Sequence, residues 1–257
     1  MEEGNILDKL KEMLGDFDDS LNILEEKIDV DLQVEFFDYL KKLKKEQPDS
    51  TDESAKELDP FQAETLEERK DHIARLAIGA SVESYRLLQK FVKGGDKALH
   101  DWAVLAMQQA RMNLESDLLE ENKVFISTGM GGKEGKLRYF IALKEDDNKD
   151  FSAAQQKVIQ SEFDFVLQQH KSEIESISFE GIYALLIVLM PLSTQLKETI
   201  EEAIQECNHY GNFLTDNFLI TNVKELPVEE VADFFNKKNK EDKDEEDQFG
   251  TAGFTEE

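Results

Sequence analysis

The stretch Lys123–Lys144, KVFISTGMGGKEGKLRYFIALK, separates a helix-rich half of the chain from a half in which helix and strand patterns alternate. Residues 124–128 and 137–143 are rich in β-branched, aromatic and aliphatic side chains, which favours two strands. Four glycines lie between them and are typical of turns. Residues 121–144 carry five Lys or Arg against Glu121 and Glu134, so we take this stretch as the basic segment of an acidic protein.

The composition indicates ordered domains joined to solvated segments. A chain of 257 residues has room for one large or two ordinary domains. The apolar fraction is 40%, which is low for a compact domain, and the charged fraction is 34%. The formal net charge of -27 should repel nucleic acid and anionic membranes. We therefore expect no membrane and disfavour nucleic acid as a partner, although one basic loop could still contact a phosphate.

The number of cysteines and the lengths of the apolar runs further limit which classes of protein this chain can belong to. Cys207 is the single cysteine, which excludes an internal disulfide and a Cys-rich zinc site. The first ten residues, MEEGNILDKL, lack the basic and apolar regions of a signal peptide. The longest apolar run, 182–192, contains Pro191 and is too short to span a bilayer. We expect a cytoplasmic location.

The N-terminal region is predicted to be helical, followed by a linker. Residues 1–45 carry apolar side chains at helical spacing, but residues 28–36 also alternate as a strand would. We favour helix there, because Phe37, Leu40 and Leu43 continue a helical face without a turn signal. Residues 46–62 combine prolines, serines and acids, which predicts a flexible acidic linker.

Residues 63–121 are predicted to form three helices, with Ser81 and Asp96 as N-caps and Trp102 on an inner face. The unit 81–111, a helix, a Gly/Asp turn and then Leu-x-x-Trp-Ala-x-x-Ala, resembles a HEAT-type helical hairpin. The resemblance implies helices that approach closely through small alanines. A generic three-helix bundle is the alternative interpretation, and we recognise no family that covers the whole chain.

From Leu137 the predicted order of elements is β-α-β-β-α-β, which is the order of the ferredoxin-like fold. Residues 124–128 would add a further N-terminal strand, and Asp150 and Ser193 would cap the two helices. This domain covers 122–235, and residues 236–257 are predicted to be a disordered acidic tail. The fold class is therefore α+β: a helical segment and a HEAT-like module, followed by a ferredoxin-like domain.

The sequence shows no constellation typical of catalysis or of metal binding. The histidines at positions 72, 100, 170 and 209 do not pair at the spacing of metal ligands. Cys207 and His209 are close in sequence, but no third group is evident to orient the base. We expect no cofactor and no metal, and we favour a protein that is not an enzyme.

The glycine-rich loop and the C-terminal tail supply the candidate binding residues. Glycine amides near lysine can hold a phosphate, but the spacing matches no established phosphate motif, so a plain turn is the competing interpretation. Phenylalanines in the tail could dock on a partner. The candidate residues are Gly129, Gly131, Gly132, Lys133, Gly135, Lys136, Arg138, Phe249 and Phe254.

The functional interpretation of the sequence is a cytoplasmic, non-enzymatic interaction or adaptor protein that binds an unidentified protein partner. The alternative is a regulatory domain that responds to a ligand or nucleotide, with or without catalysis, in which residues 129–136 hold a phosphate. The sequence does not fix the oligomeric state.

Overall fold

The computed structural model describes residues 21–46, 59–79, 81–119 and 124–238, which fall into two compact units divided between Gly135 and Lys136. The predicted α+β class, helices followed by an antiparallel sheet, is confirmed. Of the predicted linker 46–62 and the predicted tail 236–257, residues 47–58 and 239–257, with Phe249 and Phe254, lie outside the described residues. The described parts differ from the predicted flexible structure: residue 46 and residues 236–238 are helical, and residues 59–62 form a turn closed by hydrogen bonds to Asp59. The sequence-based domain boundaries stay predictions.

The first unit is mainly helical. Its elements, in chain order, are β1 (Leu21–Ile23), α1 (Val30–Glu46), α2 (Leu66–Ile78), α3 (Val82–Gly94), α4 (His100–Leu119), β2 (Val124–Ile126) and β3 (Gly132–Lys133), with a 3-10 turn at Lys97–Leu99. Residues 30–36 are helical, so the choice of helix over strand there is confirmed.

Two details of this unit differ from the prediction. Residues 124–126 do form a strand, but it pairs in parallel with β1 as a separate two-stranded sheet. It is therefore not an added strand of the ferredoxin-like sheet. Residues 21–23, expected to be helical, supply the partner strand. Both differences arise because the paired segments are about a hundred residues apart in the chain, and such a pairing leaves no local periodic pattern in the sequence.

The helices of the first unit begin where short polar side chains can accept hydrogen bonds from backbone amides. Thr65 and Glu68 form a capping box at α2. Ser81 accepts from the Ser84 amide at α3, and Asp96 accepts from the Ala98 amide at the 3-10 turn, as predicted.

Trp102 lies in the core of the helical unit, with 2% of its surface exposed. Its ring meets Phe36 edge-on at 4.9 Å and Tyr39 at 5.7 Å, between ring centroids. The indole N–H donates to the carbonyl of Lys70 at 3.2 Å, which satisfies its polar atom. Trp102 thus joins α1, α2 and α4, and its predicted burial is confirmed.

The second unit is a ferredoxin-like sheet with helices. Its elements are β4 (Lys136–Glu145), α5 (Ala153–Gln169), β5 (Glu173–Glu180), β6 (Tyr183–Pro191), α6 (Leu196–Asn208), β7 (Leu214–Thr221) and a last helix α7 at 228–238. The long strands lie in the order β7-β4-β6-β5, and every neighbouring pair is antiparallel. The predicted βαββαβ succession is confirmed.

The two central strands are buried on both faces, as their continuous apolar runs predict. The helices α5 and α6 pack on each other and on the outer strands β5 and β7, and they bury Phe163 and Ile200. Tyr183 of β6 stacks on Phe235 of α7 at 5.7 Å between ring centroids. Two caps differ from the prediction: Ser152, with Gln155, caps α5 in place of Asp150, and α6 begins after Gln195 without a side-chain cap.

Within the described ranges, no helix combines the length and the apolar character that crossing a membrane requires.

We predict that Trp102→Ala lowers the free energy of unfolding by about 3 to 5 kcal/mol, because a fully buried ring would be replaced by a cavity. Phe165→Ala is the matched control, since that ring is 61% exposed, and we expect a change within about 0.5 kcal/mol. Urea denaturation monitored by circular dichroism measures both. A loss below 1 kcal/mol for Trp102→Ala would contradict the assignment of this ring as the centre of the core.

Candidate functional site

One side of α3 presents basic side chains to solvent. The opposite side is fixed in the core by Ser84, Leu88 and Phe91, which are buried at helical spacing. Positions 86, 90 and 93 share this same i, i+4, i+7 spacing on the outer side. They are Arg86, Lys90 and Lys93, all exposed, and we refer to them as the α3 basic face.

The charge on this helix contrasts with that of the whole chain. Glu83, in the first turn, is the only acidic residue of α3. In the part of the chain that the structure describes, Arg86, Lys90 and Lys93 have no carboxylate partner, whereas Arg69 and Lys70 on α2 are bound to Asp96 and Glu35. The α3 basic face therefore keeps its charge available for an external anion.

An aromatic side chain borders this face. Phe61, in the turn before α2, packs on Phe91 with 5.1 Å between ring centroids and remains 39% exposed. The ammonium of Lys90 lies 5.2 Å from the centroid of the Phe61 ring. Lys97, just beyond the C-terminal end of α3, is also exposed. Cations interleaved with an exposed ring are typical of surfaces that contact phosphate and base together.

The α3 basic face was not predicted from the sequence, because residues 121–144 stood out as the basic segment and the net charge of the whole chain disfavoured nucleic acid. More than half of that net negative charge lies on residues outside the described ranges, so the average says little about α3. The spacing of Arg86, Lys90 and Lys93 on a helix with a single acid was the available signal.

The glycine-rich loop packs closely against the segment before α1. The Gly131 amide donates to the Thr128 carbonyl at 3.2 Å, and the Gly132 amide donates to the Glu25 carbonyl at 3.3 Å. The Glu134 amide donates to the Glu25 carboxylate, also at 3.3 Å. These three amides already bond protein oxygens, so they do not form an open cradle for a phosphate.

The three cations among the candidate residues of the loop lie in different environments. Lys133 is exposed, but Lys136 pairs with Glu173 at 2.9 Å. Arg138 holds Glu175 through two nitrogens, at 2.6 and 3.0 Å. Lys136 and Arg138 thus bond acids on β5, within their own sheet. A binding role for the loop residues stays a prediction, as does one for Phe249 and Phe254.

Cys207 is fully buried, and burial together with Glu162 and Glu206 raises the pKa of its thiol to about 12. The His209 ring lies 3.2 Å from the Glu206 carboxylate at the exposed end of α6. A thiol with so high a pKa stays protonated near neutral pH and is a poor nucleophile. Within the described residues, no three His, Cys, Asp or Glu side chains are placed to hold a metal ion.

Comparison with known proteins finds no matching family model and no matching curated protein. Among solved structures, one similar chain is a putative transposase from Deinococcus radiodurans R1. Its identity is 10%, its TM-score is 0.34, and the match covers 40% of this chain and 90% of that one. Another is a REP-associated tyrosine transposase bound to a REP hairpin, with 12% identity, a TM-score of 0.31, and coverage of 36% and 58%.

These neighbours contradict the interpretation of the chain as a non-enzymatic adaptor with a protein partner, and they contradict the expectation that nucleic acid is an unlikely partner. Both interpretations are withdrawn. At such identities and TM-scores the likeness assigns no activity to this chain. The resemblance of residues 81–111 to a HEAT hairpin stays a prediction.

The packing of the loop predicts a graded response to alanine. Gly131 has a φ of +64°, and an added Cβ would overlap the Glu26 carbonyl oxygen. Gly135 has a φ of +77° but open space, so Gly135→Ala should cost only about 1 to 2 kcal/mol of backbone strain. Gly131→Ala should cost clearly more, and Gly94→Ala, with neither constraint, should cost nothing. Thermal melting ranks the three variants, and equal losses at 131 and 135 would contradict the close packing.

Burial of Cys207 predicts slow alkylation of the native protein. Iodoacetamide reacts with the thiolate, which is scarce when the thiol pKa is about 12. At pH 8.5 we expect the native protein to remain unmodified while urea-unfolded protein is labelled rapidly, as measured by intact mass. Equal rates in the two states would show that the thiol is accessible.

Proposed function

We propose that this protein binds nucleic acid through the α3 basic face, by contacts to the phosphate backbone that do not depend on sequence. The observation that supports the proposal is the set Arg86, Lys90 and Lys93, which are exposed, lie on one side of a helix and have no carboxylate partner among the described residues. Arg and Lys on a helix surface are the groups that bind phosphate oxygens.

The dimensions of the face suit a polyanion. Arg86 and Lys93 are seven residues apart, which is roughly 10 Å along a helix axis. Measured along the axis of a duplex, each strand presents one phosphate about every 3.4 Å, so this span faces about three phosphates of one strand. A row of three cations can therefore contact consecutive phosphates on one strand.

The helix itself supports the contact. Leu88 and Phe91 anchor α3 in the core, and Ser81 caps its first turn, so the basic side chains stand on a rigid element. Lys93 lies in the last turn, where a cation also complements the negative end of the helix dipole. A firm scaffold with long, solvated side chains favours binding that follows the backbone and tolerates any base.

The acidic residues of the other segments should weaken the binding of nucleic acid. Repulsion from the rest of a chain of net charge -27 weakens any complex with nucleic acid, and salt screens repulsion and attraction alike. We therefore expect modest affinity that relies on local contact with α3. We retain the sequence-based expectation of a cytoplasmic location as part of this proposal.

The proposal is tested by reversing charge on α3. The double variant Arg86→Glu, Lys93→Glu should lose about 20-fold or more in affinity for an oligonucleotide at 0.1 M salt, because two phosphate contacts and their counterion release are lost. Fluorescence anisotropy with a labelled oligonucleotide measures the change. Melting temperature shows whether the fold is kept, as expected for exposed positions.

The matched control changes the same charge elsewhere. Lys157 on α5 and Lys197 on α6 are exposed, so Lys157→Glu with Lys197→Glu alters the net charge equally. A similar loss of affinity in both double variants would mean that overall charge, and not the α3 basic face, governs binding. Absence of binding by the unaltered protein would contradict the proposal outright.

A further inference from the structure

The surface beside α3 carries a second feature that phosphate binding alone does not use. Phe61 is a large aromatic side chain that remains 39% exposed although a buried ring, Phe91, lies next to it. A single exposed aromatic residue needs no explanation, but this one lies in contact with a cation of the α3 basic face. That cation is Lys90, whose ammonium lies over the Phe61 ring, 5.2 Å from the ring centroid.

The backbone that carries Phe61 is held in place by its own turn. The Asp59 carboxylate accepts hydrogen bonds from the Phe61 amide and from the Gln62 side chain, both at 2.9 Å. The Gln62 amide also donates to the Asp59 carbonyl at 3.1 Å, and Pro60 is buried. The ring is therefore presented in an ordered position before any ligand arrives, which lowers the entropic cost of binding.

Lys90 lies over the ring and is exposed to solvent. A lysine ammonium on a flexible stem can leave an aromatic ring for a phosphate oxygen without disturbing the fold. The ring face that it releases is then open to a planar group. A nucleotide brings both groups at once, since its phosphate attracts the ammonium and its base has a π-face.

We propose that Phe61 is a stacking platform for an unpaired base, which makes single-stranded nucleic acid the preferred ligand of the α3 basic face. This inference rests on the proposed function and adds the class of nucleic acid. In a duplex the faces of the bases are covered by their neighbours, so only the phosphates reach α3. In a single strand a base can leave its neighbours and lie on the ring.

The experiment compares two probes on the full chain. An oligodeoxythymidine and a mixed-sequence duplex, both of about 12 units, are within the site size of single-strand-binding surfaces. The variant Phe61→Leu keeps an apolar contact to Phe91 but removes the π-face. We expect its affinity for the single strand to fall roughly 5-fold to 100-fold and its affinity for the duplex to stay unchanged.

Two further variants control for folding and for exposure. Phe61→Tyr retains the ring and should restore affinity for the single strand, which a loss caused by misfolding would not show. Phe165→Leu replaces another exposed aromatic residue, on α5, and should leave both affinities unchanged.

The outcomes separate the two proposals. If charge reversal on α3 weakens binding but Phe61→Leu leaves the ratio of single-strand to duplex affinity unchanged, the platform is overturned and the phosphate-binding function stands. If the unaltered protein binds neither probe, the proposed function fails and the inference fails with it. If Phe61→Leu lowers affinity for the single strand alone, and Phe61→Tyr keeps the affinity of the unaltered protein, the stacking platform is established.

Discussion

The burial of Leu88 and Phe91 against the core of the first unit fixes which side of α3 faces solvent. A helix that buries one stripe must expose the opposite one, so the orientation of Arg86, Lys90 and Lys93 follows from hydrophobic packing and not from attraction between charges. The same packing places Phe91 beneath Phe61 and so sets the position of the exposed ring. Core and candidate surface are thus two sides of one helix.

The two units obtain their cores in different ways. In the first, helices meet around Trp102, whose indole joins α1 and α2 through aromatic contacts and one hydrogen bond. In the second, the antiparallel strands β4 and β6 bury both faces, and ion pairs such as Arg138 with Glu175 join β4 to the edge strand across β6. The cations of β4 that the sequence marked as candidates for binding therefore have a partner within their own sheet.

Local patterns in the sequence predicted much of this architecture. The helical face of Phe37, Leu40 and Leu43 identified α1 despite the alternation at 28–36, and the strand and helix patterns after Leu137 identified the βαββαβ succession. Pairing of β1 with β2 was not predictable, because three-residue strands far apart in sequence carry no periodic signal. The N-caps were only partly predictable. Ser81 and Asp96 were predicted correctly, whereas Asp150 was predicted to cap α5 and the structure shows Ser152, two residues later, in that role.

The α3 basic face was harder to predict than the fold, because the net charge averaged over the whole chain concealed a basic helix face.

The most direct test of phosphate binding by the α3 basic face is the salt dependence of affinity, measured for the unaltered protein with a single-stranded oligonucleotide. Three phosphate contacts should give a slope of about -2 in a plot of the logarithm of the association constant against the logarithm of salt concentration. A slope near zero would contradict backbone recognition by Arg86, Lys90 and Lys93.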